Sequence, residues 1–313
     1  WLEKNSCLIF ITKPMETEYD LSIILINWNG GKVTLNCISS LVRTIEKISY
    51  EIILVDNNST DGVVSEVKQK FSEVKIIEND YNNYFAGPNN QGFKISKGKY
   101  IFILNSDTVV TENAVDDLVK FMESKRLDAL TCTLLNQDGS VQYHMHRRFP
   151  TFLRLFTSLI YKKNSFFKFL PPVRKYLYLD KDFKENFYVE QAPAAAMILS
   201  RTLIDKLGCL FDEERFPLFY NDVDLCHRIS NLVGNIYCKT DTKIYHLKGD
   251  ALKKMDNTKH WLIYGTAVPL YFRKHKLYAS YLFSKIFFGY FLVGLSHLLK
   301  FFKNLSISNL KVK

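Results

Sequence analysis

The sequence predicts an α/β fold in which helices flank a mostly parallel, Rossmann-like central sheet. The chain of 313 residues is 47% hydrophobic and contains 24 Phe and 18 Tyr. This composition is enough for a sizeable core and excludes a disordered or collagen-like protein. Short apolar runs alternate with helical stretches through the first half. The runs are continuously apolar, as expected for strands that are buried on both faces of a parallel sheet.

Four of these runs have strand length, and three stretches between them have helical character. The predicted strands are residues 21–27, 51–56, 74–78 and 100–104, and the predicted helices are residues 33–45, 63–71 and 91–96. Connections between parallel strands are right-handed crossovers. The alternation therefore predicts a doubly wound arrangement.

The pattern changes after this point. Residues 147–184 contain ten Lys or Arg against two acids, Asp180 and Asp182, which predicts a long, partly helical excursion from the sheet. Regular structure is expected again at residues 188–200. The predicted organisation is an N-terminal extension (1–18), a main domain (19–250, with halves 19–110 and 111–250) and a C-terminal helical segment (251–313).

The C-terminal segment carries the net charge of the chain. Residues 251–313 contain 11 Lys or Arg and one acid, Asp256, whereas basic and acidic residues balance over the other 250 positions. This charge predicts contact with an anionic surface. Residues 286–299 are nearly all apolar but fall short of the ~20 needed to cross a bilayer, which favours a helix lying in the membrane interface. A helix packed on the body or on a second copy in a homo-oligomer is the alternative.

Several motifs are missing. The six cysteines lie far apart without metal-ligand spacing and are expected to be mostly core residues of a protein in a reducing compartment. The sequence has no G-x-G-x-x-G after the first strand, no Walker phosphate loop and no G-x-S-x-G. These absences argue against a dinucleotide site of the usual kind, a P-loop enzyme and a serine hydrolase.

Polar residues follow the predicted strands where ligands bind in such sheets. Asn27, Asp56 and Asn105 each end an apolar run, and the carboxyl ends of the strands form the ligand crevice of open α/β sheets. Capping and turn formation are the alternative roles for these residues. Two acids, Asp222 and Asp224, lie at the start of a predicted helix. The dipole of this helix is expected to stabilise the anionic form of Asp222.

The ordered set of these blocks resembles family 2 glycosyltransferases with the GT-A fold, in the branch similar to bacterial rhamnosyltransferases. The blocks that carry the resemblance are residues 27–30, 55–62, 85–92, 104–108, 208–212, 220–225 and 246–249. The resemblance implies that Asp56 hydrogen-bonds the base of a nucleotide-sugar. The same implication assigns seven further residues to nucleotide-sugar binding: Asn27, Asn29, Asn58, Asn89, Asn90, Asn105 and Ser106.

The resemblance also implies a metal and a base. Asp107 matches the last acid of the family's D-x-D motif, and His246 matches a histidine that joins the Mn²⁺ or Mg²⁺ shell on the diphosphate. Asp222 matches the general base that deprotonates the acceptor hydroxyl, so that attack inverts the anomeric carbon. Arg148 and Asp224 are assigned, both more weakly, to the acceptor side. A solvated basic loop is the alternative for Arg148, and a capping acid in a salt bridge with Arg228 is the alternative for Asp224.

Four positions depart from the family's pattern. Asn105 stands for the first acid of D-x-D, and Asn221 stands for the Glu before the base. Tyr84 and Pro88 replace two usual glycines beside the nucleotide. The metal-binding acid and the base are both retained.

The resemblance implies an inverting, metal-dependent transferase that uses a dTDP- or UDP-linked sugar, such as dTDP-rhamnose. The implied acceptor is a cell-surface glycan or lipid-linked saccharide at the cytoplasmic face of the membrane, which the basic tail would contact. One alternative is a sugar-nucleotide nucleotidyltransferase, although residues 27–32 contain no Arg for a triphosphate. The other is a catalytically silent scaffold that binds glycans or nucleotide-sugars. Nucleic-acid binding through the tail is not expected.

Overall fold

A computed structural model describes residues 17–163, 169–247 and 255–287. Within these ranges nine strands form one sheet: β1 (Tyr19–Asn27), β2 (Tyr50–Asp56), β3 (Lys75–Glu78), β4 (Gly98–Asn105), β5 (Thr108–Val110), β6 (Ala129–Leu135), β7 (Phe187–Val189), β8 (Ala196–Ser200) and β9 (Ile236–His246). The helices are α1 (Lys32–Thr44), α2 (Val63–Lys70), α3 (Ala86–Ile95), α4 (Ala114–Lys125), α5 (Phe152–Lys163), α6 (Pro171–Tyr176), α7 (Arg201–Leu207), α8 (Asn221–Val233), α9 (Asn257–Lys274) and α10 (Tyr278–Ser284).

The sheet is mixed, with its parallel part where the sequence predicts it. The strand order is β3-β2-β1-β4-β8-β6-β9-β5, and β7 pairs with β9. The first four strands in this order are parallel, whereas β8 runs antiparallel to both β4 and β6. The predicted α/β class is confirmed. Continuous apolarity indicates that a strand is buried but not which way it runs, so the antiparallel strands were not foreseen.

The core lies on both faces of this sheet. On one face, α1 packs the stripe of Cys37, Ile38 and Leu41 against the strands, with positions spaced as an amphipathic helix requires. On the other face, α3 lies very close to β1. A Cβ added at Gly92 would lie only 2.7 Å from Cγ2 of Ile24, so this approach needs a glycine. This close approach brings the polar start of α3 next to the ends of the first strands.

One helix begins earlier than predicted. The sequence predicts helix from residue 91, but α3 begins at Ala86. Gly87 and Pro88 suggest a loop in the sequence, yet proline is tolerated in the first turn of a helix, where its missing N–H has no intrahelical partner. The remaining predicted elements of the first half agree with the structure to within two residues.

The C-terminal helices pack on the predicted excursion. α9 and α10 lie against α5 and α6 in a separate core cluster that includes Leu155, Val173, Tyr271 and Phe272. No helix in the described residues is both long and apolar enough to cross a bilayer. Of the predicted interfacial helix, only residues 286 and 287 are described, and the predicted domain boundary at 250 lies outside the described residues.

Four cysteines occupy the core. They are free, buried thiols, as predicted for core residues, whereas Cys209 is disulfide-bonded, which the prediction of a reducing compartment did not anticipate. The four are Cys37, Cys132, Cys226 and Cys238.

Candidate active site

The three polar strand ends meet at one edge of the sheet. In the parallel register, Asn27 lies opposite Asp56, and Ile26 lies opposite Asn105. The carboxyl ends of β1, β2 and β4 therefore form one crevice floor, as the sequence predicts. This edge is where an open α/β sheet binds its ligand.

Asn27 holds Asp56 in place at this edge. Asn27 is fully buried, and its side-chain amide donates to Asp56 Oδ1 at 2.6 Å and to Ser59 Oγ at 2.9 Å. The side-chain Oδ1 of Asn27 accepts from Thr34 Oγ1 at 2.7 Å. Asp56 Oδ2 accepts from the backbone N–H of Ser59 at 2.8 Å. Asn27 is thus a supporting residue beneath the crevice, and it fixes the carboxylate that is predicted to receive the base.

A network of amides, which the sequence reasoning missed, shapes the neighbouring loop. The fully buried Asn57 donates to the carbonyl of Tyr84 at 2.7 Å and accepts from Asn79 at 3.2 Å. Asn79 and Gln91 exchange two hydrogen bonds of 2.9 and 3.0 Å. Tyr84 adopts a left-handed φ of 59°, the conformation that favours glycine at this position. The amide network holds this non-glycine residue in a left-handed conformation.

The other predicted donor-side residues mostly brace loops around the crevice. Asn29 and Asn58 both have left-handed φ angles. The Asn29 side chain accepts from the N–H of Thr60, and the Asn58 side chain donates to the Asp80 carbonyl. Asn90 bonds both the N–H and the C=O of Phe211, and Ser106 donates to the Ile26 carbonyl. Asn89 is buried, and in the described residues its Oδ1 accepts no hydrogen bond.

Asp107 and His246 come together because β5 pairs with β9. Thr108 lies opposite His246 in the antiparallel register, and the N–H of Leu247 donates to the Asp107 carbonyl at 2.8 Å. His246 Nε2 lies 3.3 Å from Asp107 Oδ1 and 3.2 Å from Asn105 Nδ2. Three side chains that the sequence assigns to the diphosphate side are therefore adjacent.

Gln142 fixes the orientation of the histidine and was not foreseen. Its side-chain NH₂ donates to the carbonyls of Leu135 at 3.0 Å and His246 at 2.7 Å. Its Oε1 therefore faces His246 Nδ1, at 3.1 Å, and that nitrogen must donate. In the neutral ring, Nε2 is then the unprotonated nitrogen, and it accepts from the Asn105 amide at 3.2 Å. The contact joins residues 104 apart in the chain, so no local pattern could have indicated it.

These residues fit a divalent cation. Two ligand atoms that bind one cation at ~2.1 Å and near a right angle lie ~3 Å apart, which agrees with the 3.3 Å between Asp107 Oδ1 and His246 Nε2. An oriented imidazole with a carboxylate suits Mn²⁺ better than Mg²⁺. No cluster of three or more His, Cys, Asp or Glu is found in the described parts of the chain.

Asp222 stands in the first turn of α8, as predicted. Its N–H donates to Asn221 Oδ1 at 2.7 Å, and its own Oδ1 accepts from the N–H of Val223 at 2.8 Å. Burial raises the pKa of Asp222, and the charge of Arg147 and the Val223 N–H lower it by less. The upward direction differs from the dipole expectation because desolvation outweighs the helix terminus. A raised pKa strengthens the carboxylate as a base.

The arginine beside Asp222 is Arg147, one residue before the predicted Arg148. Arg147 donates from Nε to the His144 carbonyl at 2.8 Å, bonds the Tyr176 side chain and interacts electrostatically with Asp222. The Arg148 guanidinium instead bonds Asp180 at 3.2 Å and the carbonyl of Lys175, and it stacks on the Tyr178 ring. Arg148 therefore connects parts of the excursion to one another, and Arg147 is the arginine that interacts electrostatically with the candidate base.

Asp224 is not at the acceptor side. Its carboxylate is fully buried and contacts Arg228 Nε at 2.9 Å, Lys274 Nζ at 2.7 Å and His275 Nε2 at 2.9 Å. These partners hold the pKa of Asp224 well below its usual range even though burial opposes ionisation. Asp212 also binds Lys274, at 2.7 Å. The salt bridge with Arg228, predicted as the alternative role, is confirmed, and the network joins the end of α9 to α8.

One short segment supports both halves of the site. Gln142 positions His246, and five residues later Arg147 faces Asp222. The segment is anchored at its end by the paired backbone hydrogen bonds between Arg147 and Gln191, at 3.1 and 2.9 Å. A displacement of this segment would therefore disturb His246 and Asp222 together.

This arrangement, a carboxylate and an oriented histidine at the strand ends with a separate acid at a helix start, agrees with the family match of the sequence. Residues 22–186 match the profile described as glycosyl transferase family 2. The chain belongs to this family. The resemblance read from the motifs is thus confirmed, while the match itself carries no sugar specificity.

Individual relatives match over parts of their length. The poly(ribitol-phosphate) beta-glucosyltransferase of Bacillus spizizenii is 34% identical over 113 residues, 34% of this chain and 18% of that protein. Glycosyltransferase GlyG of Streptococcus pneumoniae is 29% identical over 123 residues, 38% of this chain and 40% of that protein. The O-antigen biosynthesis protein RfbC of Myxococcus xanthus is 24% identical over 240 residues, 74% and 18% respectively. The matches therefore span less than half of each relative's length.

Solved structures share the fold. The crystal structure of S. aureus TarS 1-349 in complex with UDP-GlcNAc has a TM-score of 0.56 at 16% identity, covering 85% of this chain and 72% of that chain. GalNAc-T7 with UDP, GalNAc and Mn²⁺ has a TM-score of 0.54 at 15% identity, covering 76% and 45%. At these identities the likeness establishes the fold. The predicted GT-A type is confirmed.

Proposed function

We propose that this family 2 enzyme is an inverting, metal-dependent glycosyltransferase with Asp222 as its general base. The proposal rests on one observation in the described residues: two sets of polar side chains lie at separate places, one at the strand ends and one at a helix start. Asp107 and His246 present ligand atoms at the strand ends, whereas Asp222 stands apart at the start of α8 with a raised pKa. Direct displacement needs this division between a group for the leaving diphosphate and a base for the incoming hydroxyl.

The residues act in three ways. Asp56, held by Asn27 and Ser59, orients the base of the nucleotide, and the braced loops around it exclude water from the crevice. Asp107 and His246 would hold the cation, which when bound offsets the charge that develops on the departing diphosphate. Asp222 accepts the proton of the acceptor hydroxyl, whose oxygen attacks the anomeric carbon from the face opposite the leaving group. The carbon–oxygen bond to the diphosphate breaks as the new glycosidic bond forms, which inverts the configuration.

The donor is proposed to be a nucleoside-diphosphate sugar, UDP- or dTDP-linked. The TarS structure bound to UDP-GlcNAc and the GalNAc-T7 structure bound to UDP and Mn²⁺ support a pyrimidine nucleotide and a metal in this fold. Rhamnose stays the sugar suggested by the motif resemblance. Relatives whose names specify glucosyl transfer make glucose the second candidate.

The acceptor is proposed to be a hydroxyl of a cell-surface glycan, built on a lipid carrier. The names of the relatives support this class, because they include O-antigen biosynthesis, poly(ribitol-phosphate) glucosylation and transfer to GlcNAc-diphosphoundecaprenol. A lipid-linked acceptor places the enzyme at the inner face of the membrane, without requiring a spanning helix.

An exposed apolar surface supports peripheral membrane contact. On α10 and just after it, Leu282, Phe283 and Ile286 are each more than half exposed, with Lys285 among them. Phe283 stacks on Phe152 of α5, 5.4 Å between ring centroids, so the two helices share this face. Exposed aromatics beside lysine suit the interface of an anionic bilayer.

The membrane contact is tested by vesicle sedimentation. Wild type should bind vesicles of phosphatidylglycerol and phosphatidylcholine more than vesicles of phosphatidylcholine alone, and Phe283→Ser with Leu282→Ser should reduce that binding. Leu232→Ser, which changes an exposed leucine of α8, is the matched control. Equal binding by all variants would assign the exposed face to another role.

Transfer itself is tested with a panel of nucleotide-sugars and lipid-linked saccharides, with and without Mn²⁺. Wild type should release one nucleoside diphosphate in a metal-dependent reaction. Asp222→Asn should lose transfer while retaining nucleotide binding, because that variant changes only the base. Asp107→Asn should weaken both Mn²⁺ and nucleotide binding. If no nucleotide-sugar raises the melting temperature and none is consumed, a silent scaffold becomes the better description.

A further inference from the structure

The first two turns of α9 form a wall beside the base. Lys259 Nζ lies 5.2 Å from the centre of the Tyr84 ring in the nucleotide loop, and His260 packs edge-to-face on Phe219 at 4.8 Å. One turn later, Tyr264 contacts Tyr220 at 5.9 Å between ring centroids, and the side chains are hydrogen-bonded. Because Tyr220 immediately precedes Asn221 and Asp222, this wall extends from the donor loop to the base.

Trp261 is the large aromatic side chain of this wall. Its indole meets His260 at 5.6 Å and 72° and Tyr264 at 6.0 Å and 87°, so neither neighbour stacks in parallel on it. The side chain is partly exposed. Because neither of these two rings stacks on the partly exposed indole, a face of the indole is left for contact with a ligand. The C–H face of a pyranose is an apolar surface of suitable shape for such stacking.

We propose that Trp261 is the stacking platform for a pyranose ring of the acceptor, the sugar whose hydroxyl Asp222 deprotonates. This inference rests on the proposed function and deepens it, because it names the acceptor class as a ring sugar. α9 lies beyond residues 22–186, the part that matches the family profile. The platform is therefore a feature of the C-terminal part of this chain.

The charges near the base favour a neutral ring over a polyanion at this position. Bidentate recognition of the phosphates in a linear polyol phosphate uses guanidinium groups that are available to them. Arg148 is bound to Asp180, Arg154 donates to the Phe149 carbonyl at 2.6 Å, and Arg147 is bound to Tyr176 and faces Asp222. These three arginines are committed to acceptors within the protein, whereas the indole is partly exposed.

Fluorescence tests the contact directly. The chain has three tryptophans, so the full-length double variant Trp1→Phe/Trp28→Phe leaves Trp261 as the sole emitter. With UDP and Mn²⁺ present, methyl glycosides of glucose, N-acetylglucosamine and rhamnose should shift or quench its emission saturably, and ribitol 5-phosphate, which has no ring, should not. An emission unchanged by every pyranoside, or changed only by ribitol 5-phosphate, would overturn the proposal.

Kinetics separates this inference from the proposed function. Trp261→Ala should raise the acceptor KM about 5- to 10-fold, the range expected for loss of one aromatic stacking contact, and leave the donor KM unchanged. Trp261→Phe should recover most of the loss, and Leu262→Ala, at the exposed neighbouring position, should resemble wild type. Transfer with an unchanged acceptor KM in Trp261→Ala refutes the platform alone. Absence of any donor turnover in wild type refutes the proposed function, and the fluorescence experiment still decides the contact.

Discussion

Replacing Arg147 with Gln should move the acidic limb of the pH–rate profile to higher pH. Burial raises the pKa of Asp222, and the Arg147 charge is the largest effect that lowers it. The base acts only when it is deprotonated, so the rate rises as pH increases through its pKa. Without the guanidinium, burial acts with less opposition and the pKa rises further. The variant should therefore need a higher pH to reach the same rate.

The size of this effect follows from the charge that is removed. An opposite charge near a carboxyl group lowers its pKa, and the Arg147 charge acts in this direction on Asp222. A shift of about one unit corresponds to ~1.4 kcal/mol. Below both pKa values the variant should be about tenfold slower than wild type, and the rates should converge on the alkaline plateau.

The assay is the initial rate of nucleoside diphosphate release at saturating donor and Mn²⁺ across the acidic and neutral range. Arg147→Lys keeps the charge and should move the limb less than Arg147→Gln. Arg148→Gln is the matched control, because its guanidinium bonds Asp180 rather than Asp222. A limb that stays in place in Arg147→Gln, or moves equally in Arg148→Gln, would refute the electrostatic reasoning.

Two further predictions concern residues that support the site. Gln142→Ala should raise the Mn²⁺ concentration needed for the half-maximal rate ~10- to 100-fold, because it removes the partner that orients a metal-binding histidine. Calorimetric titration with Mn²⁺ and UDP measures this change. Gln137→Ala, at an exposed position, is the control. Asp224→Asn should lower the free energy of unfolding by ~3 kcal/mol, because it removes the buried carboxylate that pairs with Arg228 and Lys274 and leaves Lys274 only its bond to Asp212. Since the folded pKa of Asp224 is depressed, this stabilisation is present above its unfolded pKa of ~3.9 and is lost as pH falls. Urea unfolding at neutral and acidic pH measures both effects, and Asp241→Asn, at an exposed ion pair, should change little.

The sequence allowed the donor half of the site to be predicted because its information is local. Continuous apolar runs located β1, β2 and β4, and parallel pairing placed Asn27, Asp56 and Asn105 on one edge. The motif resemblance then supplied Asp107 and Asp222. Their assigned roles stay predictions, although the structure places the two acids as that assignment requires.

The supporting residues could not be read from local patterns. Gln142 meets His246 across 104 positions, and Asp224 meets Lys274 and His275 only because α9 returns to α8. Arg147 and Arg148 are adjacent in a segment without periodicity, so the sequence does not indicate which one points toward the base. In each case the deciding contact is tertiary, whereas the predictive signals were strand periodicity and motif order.

The geometry also connects chemistry to the C-terminal helices. The end of α9 is bound to α8 through Asp224, and its beginning lies beside Tyr84 and Tyr220. The same helix packs against α10, whose exposed face is proposed to meet the membrane. The helices that we propose to contact the membrane, bind the acceptor and carry the base are thus connected to one another.

The stereochemistry of transfer tests the central claim most directly. Once an active donor is known, proton NMR of the first product gives the anomeric configuration relative to that donor. Inversion in wild type, with no product from Asp222→Asn under conditions where the variant still binds the nucleotide, is the predicted result. Retention of configuration, or transfer by Asp222→Asn at a rate near that of wild type, would contradict the assignment of Asp222 as the base of a single displacement.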